Sequence, residues 1–131
     1  MSDFESYLSA RSDSYFKRTR EIVKRYGDKE VTYAIFMRRP VIFCPKLAFD
    51  WIKTAARERE TSFTIEARFE EGDQVGAGEV LLYVSGQMSH LVDLETTYLQ
   101  RLGAACVAAY NAYQMCTYLP EASFLAMDAR H

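Results

Sequence analysis

Nothing in the 131 residues is long and apolar enough to lie across a bilayer. A spanning helix needs roughly 18–20 apolar residues in a row, and the longest candidate, 103–119, is cut by Asn111 and Gln114. The opening MSDFESYLSARSD has neither a basic n-region nor an apolar core, so no secretory leader is expected. A basic excess is missing as well. The formal net charge is −2, and a general nucleic-acid binder would carry the opposite sign. Cysteine is scarce and odd in number: Cys44, Cys106 and Cys116, with no CxxC pair. That spacing suits neither a zinc site nor a disulfide framework. Cys106 and Cys116 fall in an Ala/Tyr-rich helical stretch, where they are expected to fill core in a reducing cytoplasm.

The chain is 49% hydrophobic and 14% aromatic, which is enough for one folded domain with a real core and excludes a disordered chain. Residues 12–26, SDSYFKRTREIVKRY, have helical spacing, with Ser12 as the expected N-cap and Gly27 as the closing glycine. Tyr15, Thr19, Ile22, Val23 and Tyr26 share one face, expected to be apolar and inward. VTYAIFMR (31–38) reads as a strand, and Pro40 and Pro45 bracket a short second one, VIFC. Residues 46–60 follow as an amphipathic helix with Leu47, Ala48, Trp51, Ile52 and Ala55 inward and RERE as a solvated end. SFTIEARF (62–69) alternates cleanly, as a half-buried strand does. EVLLYV is apolar on both faces and should be well buried. From Ser89 the period turns helical again; Gly103 leaves room for close helix packing or a bend, and Pro120 closes the run. SFLAMDARH then begins like a short buried strand, as a parallel βα unit would.

The glycine-rich stretch EEGDQVGAGEVLLYVSG (70–86) has the look of the hairpin that carries lipoyl or biotinyl groups. Such a carrier needs a lysine amine at the tip. The five lysines, 17, 24, 29, 46 and 53, all come before it. The stretch is therefore architectural: two turns that fold a small barrel-like sheet on itself.

The order of pieces then points to a family. GDQVGAGEVLLYVSGQMSHLVDLETTYLQRLGAACVAAY resembles the segment of type II phosphoribosyltransferases that reads G-D-x-V, G-x-x-L, V-x-G, L-x-x-x-E-x-x-x-L-x-x-L. SDSYFKRT is similar to the T-D-x-Y-K or D-S-Y-K start of the nicotinate and nicotinamide branches. FLAMDARH is similar to the first barrel strand, D-F-G-x-R in those branches and L-D-T-R-K in the quinolinate branch. The resemblance implies an α+β fold: an N-terminal α/β sandwich with a small barrel-like antiparallel sheet and helices (1–121), ending in the first strand of an absent α/β barrel (122–131). It further implies a dimer in which one subunit's N-terminal domain covers the other's barrel mouth, so a second copy or a separate barrel chain is the expected partner.

The resemblance also implies roles for single residues. Tyr15 matches the Tyr that stacks on the pyridine ring from the neighbouring subunit; its other reading is a core Tyr. Asp13 matches the Asp that could orient the ring's substituent, or it is a first-turn acid of the helix. Arg130 matches the Arg closing the first barrel strand, where a guanidinium grips carboxylate or phosphate, and His131 stands where the family has Lys or Arg. Two departures bear on the base. The quinolinate branch has E-R-T, whose Arg holds a second ring carboxylate; here the run is Glu95-Thr96-Thr97, against a dicarboxylate ring. Met127-Asp128 replaces Phe-Gly, so the second stacking face is a thioether or missing, which leaves the identity of the base open.

The implied reaction joins a pyridine ring nitrogen to C1 of phosphoribosyl pyrophosphate in NAD synthesis, with magnesium shielding the pyrophosphate in the complete enzyme. No catalytic residue and no metal site is expected within 1–131. Nicotinate is the expected base, with quinolinate and nicotinamide as alternatives. A non-catalytic dimerisation module derived from the family is the reading of a different class.

Overall fold

The computed structural model describes residues 2–126. In chain order the elements are α1 (Asp3–Arg11), α2 (Ser14–Tyr26), β1 (Glu30–Phe36), β2 (Val41–Ile42), α3 (Lys46–Glu58), β3 (Thr64–Ala67), β4 (Gln74–Val75), β5 (Val80–Gln87), α4 (Met88–Leu91) and α5 (Glu95–Tyr118). This is the expected α+β arrangement of helices and antiparallel strands, and no barrel closes among the described residues.

The main sheet runs β1-β5-β3, antiparallel throughout. β5 takes the centre because it alone is apolar on both faces: Leu81, Leu82 and Val84 are all buried. Alternation places Val31, Tyr33, Ile35 and Ile65 on the helix side, packed on or within the core, and leaves Thr32, Thr64 and Glu66 exposed on the other. Thr32 and Ser85 face each other across that outer side with their hydroxyls 2.7 Å apart. With Thr64, Glu66 and Tyr83 they line a shallow depression of about 310 Å³. The sheet is thus open-faced.

α3 packs on α5, and α5 also lies against β2. Ala48, Trp51, Ile52 and Ala55 of α3 meet Tyr98, Leu102 and Cys106 of α5 in the core. A side chain such as Leu102, fully buried, contributes roughly 1.5–3 kcal/mol by leaving water.

The glycine-rich stretch is a folded arm rather than a hairpin. β4 does not pair with β5; it pairs with β2 in a separate two-stranded ribbon. Asp73 makes that geometry: its carboxylate accepts from Glu70 N–H at 2.8 Å, its carbonyl accepts from Phe43 N–H, and Gly72 N–H donates to Phe43 O. Gly72 and Gly78 have φ of 97° and 80°, values that side chains seldom adopt. The arm therefore leaves the main sheet after β3, clips onto β2 and returns as β5.

Several expectations change. α1 was not foreseen. Ser12 does not cap α2; it closes α1, and its buried hydroxyl donates to Asp93 O at 2.7 Å. Asp13 takes the N-cap position, without a side-chain capping bond. Leu47 is exposed, although its four expected partners on α3 are buried. α5 runs unbroken past Gly103. Cys116 is exposed, whereas Cys106 is buried as expected. Residues 123–126 form neither strand nor helix, and Phe124 and Leu125 are exposed. An isolated strand has no neighbour to pair its backbone.

Candidate functional site

α2 does not bury the face its spacing suggests. Phe16 is its one fully buried residue, while Tyr15 is 58% exposed and Ile22 and Tyr26 are also outside. The reason lies in Arg20, drawn inward by two carboxylates. Its Nη1 meets Glu5 and Asp93, each at 3.2 Å, and its Nε donates to Ser89 O at 2.9 Å. Pulling Arg20 inward turns the helix so that Phe16 points to the core and Tyr15 to solvent. The Tyr15 ring stays against Phe16, centroids 4.1 Å apart. Its phenol also sits near Tyr33: burial pushes the Tyr33 hydroxyl up, and the charges of Glu95 and Tyr15 add to that.

Of the expected site residues, the structure brings Asp13 and Tyr15 together at the exposed start of α2. Arg130 and His131, with Met127 and Asp128, lie outside the described residues.

Below this helix is a group that sequence reasoning missed. Arg59, placed in a solvated charge run, is buried with only 2% of its side chain exposed. It forms a fork on Asp93, Nη1–Oδ1 2.7 Å and Nη2–Oδ2 2.9 Å, and a second contact to Glu5 at 3.0 Å. Burial works against its charge, but the bonds to Asp93 and Glu5 prevail and hold it above the usual guanidinium value. Two cations and two carboxylates thereby tie α1, α2, the end of α3 and the α4–α5 link. Two signals could have revealed it. Ser2-x-x-Glu5 has the spacing of a helix-opening box, and Ser2 does accept from Glu5 N–H at 3.3 Å. Asp93 stands between Val92 and Leu94, a lone charge in an apolar run.

Next to this network, α1 and α2 enclose a cavity of about 280 Å³ lined by Glu5, Ser9, Ser12, Lys17, Arg20 and Asp93 among others. Asp28 and Ser89 close the neighbouring corner. The Ser89 hydroxyl donates to Asp28, which holds the Asp28 carboxyl below its usual range. Burial, then the charges of Arg59 and Arg20, hold His90 down. Burial also raises the Cys44 and Cys106 thiols, so neither has the thiolate character of a nucleophile. Among the described residues no three His, Cys, Asp or Glu side chains gather as a metal would need, and no helix is long and apolar enough to cross a membrane.

Residues 13–106 match the family described as quinolinate phosphoribosyl transferase, N-terminal domain. The chain belongs to this family. The match opens on Asp13 and takes in Tyr15, the arm, the whole main sheet and the first half of α5. Solved structures with the family's fold agree. The nicotinate-nucleotide pyrophosphorylase from Francisella tularensis superposes with a TM-score of 0.64 at 12% identity, over 82% of this chain and 40% of that one. NadC from Streptococcus pyogenes gives 0.52 at 18%, over 78% and 38%. A NadC deletion mutant gives 0.52 at 20%, over 78% and 37%. At these identities the likeness is one of fold. The chain spans about 40% of the length of the solved proteins it matches. No curated protein matches it in sequence.

Proposed function

We propose that the chain is the N-terminal domain of a transferase that joins a pyridine base, nicotinate first, to phosphoribosyl pyrophosphate in cytoplasmic NAD synthesis. Residues 1–121 are assigned to that domain. The observation that carries the reading is Tyr15: a phenol inside the family match that the domain holds out to solvent rather than in its own core. A flat electron-rich face suits an electron-poor ring, and an outward one serves a site on another subunit. Asp13 beside it would orient the ring's substituent.

In the reaction the ring nitrogen's lone pair forms the bond to C1, and pyrophosphate leaves with the electron pair of the C1–O bond. Catalysis of such a step is largely positioning and stabilisation of separating charge. This domain's share is to hold the ring face and exclude water above it. Magnesium would have to find its ligands outside the described residues, with the pyrophosphate, and no role of this domain runs through it. Thr96 at the place of the quinolinate branch's Arg favours nicotinate. Quinolinate stands as the second reading because the matched family carries its name.

The test is pyrophosphate release by the complete protein with nicotinate, nicotinamide and quinolinate in turn. Turnover with nicotinate above the other two supports the proposal. Turnover with quinolinate alone transfers it to the second reading, and silence with all three leaves a non-catalytic dimerisation module.

A further inference from the structure

α2 carries Tyr15, Arg18, Ile22 and Tyr26 as one stripe at helical spacing, and all four are exposed. Most of the other cations of this helix are engaged. Lys17 donates to Ser9 O at 2.6 Å. Arg20 is held by Glu5, Asp93 and Ser89 O. Arg25 lies over the Tyr26 ring, 5.5 Å from its centroid, and Lys24 lines the cavity between α1 and α2. Arg18 makes no hydrogen bond and no ion pair among the described residues. A guanidinium with its whole fork of N–H groups unused therefore stands one turn after the exposed phenol.

We infer that Arg18 grips the ring carboxylate of the pyridine base whose face Tyr15 covers. This rests on the proposed function and names the substrate chemistry of the same site. Side chains three residues apart on a helix have Cβ atoms about 5–6 Å apart, so a guanidinium at 18 reaches the rim of a ring stacked on residue 15. A pyridine carboxylate is planar with its ring and accepts two parallel N–H bonds from an arginine fork. A neutral carboxamide offers a single acceptor and no charge, so the same arrangement selects acid over amide.

The experiment compares wild type, Arg18→Gln and Arg18→Lys in the complete protein, with nicotinate and nicotinamide as bases. Arg18 takes part in no internal bond, so Arg18→Gln should melt with the wild type. The expected result is a loss in kcat/KM for nicotinate of about 10- to 100-fold, the scale of a lost charge-assisted pair. The loss should fall mainly in KM, with nicotinamide unchanged and partial recovery in Arg18→Lys. Equal losses for acid and amide overturn the assignment, because they mark a general effect on the stripe. So does nicotinate turnover that stays within about twofold of wild type; the proposed function then survives and Arg18 alone is struck out. A wild type that turns over neither base, under conditions where it is folded, overturns both.

Discussion

Arg59 carries a full charge to a place where 2% of its side chain meets water, and Asp93, 6% exposed, answers it through both oxygens. Taking two charges out of water is costly, and a fork of this geometry offsets much of that cost. Removing one member is a different matter, because it strands the other. Asp93→Ala should lower the free energy of unfolding by about 3–5 kcal/mol, read from urea titration. Arg59→Met with Asp93→Leu should lose clearly less than the two single changes added together. If the double variant instead loses their full sum, the two residues are not coupled. The sequence hid this pair for a physical reason. RERE looks like a charge run at a helix end, and a run of alternating charge is solvated unless something distant reaches it. Glu5 and Asp93 lie 54 and 34 residues away. The Tyr15 face was misread for the same reason: helical spacing found the stripe, but the direction it faces was decided by Arg20 and its long-range carboxylates.

At the scale of elements, strong local patterns were legible. The alternation of SFTIEARF, the doubly apolar EVLLYV and the 3.6-residue period of 46–60 each produced its element close to the expected place. α1 was missed because Phe4 and Leu8 are all the apolar grip it offers the core. The arm was misread because adjacent strands usually pair, and nothing local says that β4 will choose β2. Two glycines separate what a helix tolerates from what a sheet tolerates. A Cβ at Gly103 would meet nothing closer than Met37 Cε at 3.6 Å, ordinary contact with a flexible tip. Gly103→Ala should therefore stabilise the fold by about 0.5–1 kcal/mol through the backbone of α5. A Cβ at Gly86 would fall 2.6 Å from Phe63 Cδ1, with the ring held against the sheet. Gly86→Ala should cost about 1–3 kcal/mol by overpacking. Thermal melts of the two variants check the pair: opposite signs are expected, and a Gly103→Ala protein that melts below wild type contradicts the account of α5.

On the scale of the whole molecule, two places among the described residues gather exposed apolar side chains. One is the α2 stripe. The other is the end of α5 with the residues just beyond it, where Tyr118, Leu119 and Leu125 are exposed, Leu125 by 85%. Contiguous apolar patches beyond a few hundred Å² are uncommon on monomers and mark interfaces. The chain 1–131 should self-associate, or hold a barrel chain if one is supplied, and it should release no pyrophosphate alone. Light scattering at micromolar concentration decides the first point: a clean 15.1 kDa monomer would mean that these surfaces need no partner.

The sheet order also sets a timetable for synthesis. Among the described residues β5 alone pairs with both β1 and β3, and it is the last of the three to be made. Until it leaves the ribosome, the two outer strands have no ladder to join and cannot substitute for each other. Translation at about 5–20 residues per second leaves β1 waiting several seconds for its partner. During that wait VTYAIF is a β-prone segment with bare backbone groups. Arg38 and Arg39, one residue behind it after Met37, stand where charged gatekeepers suppress pairing with the wrong chain.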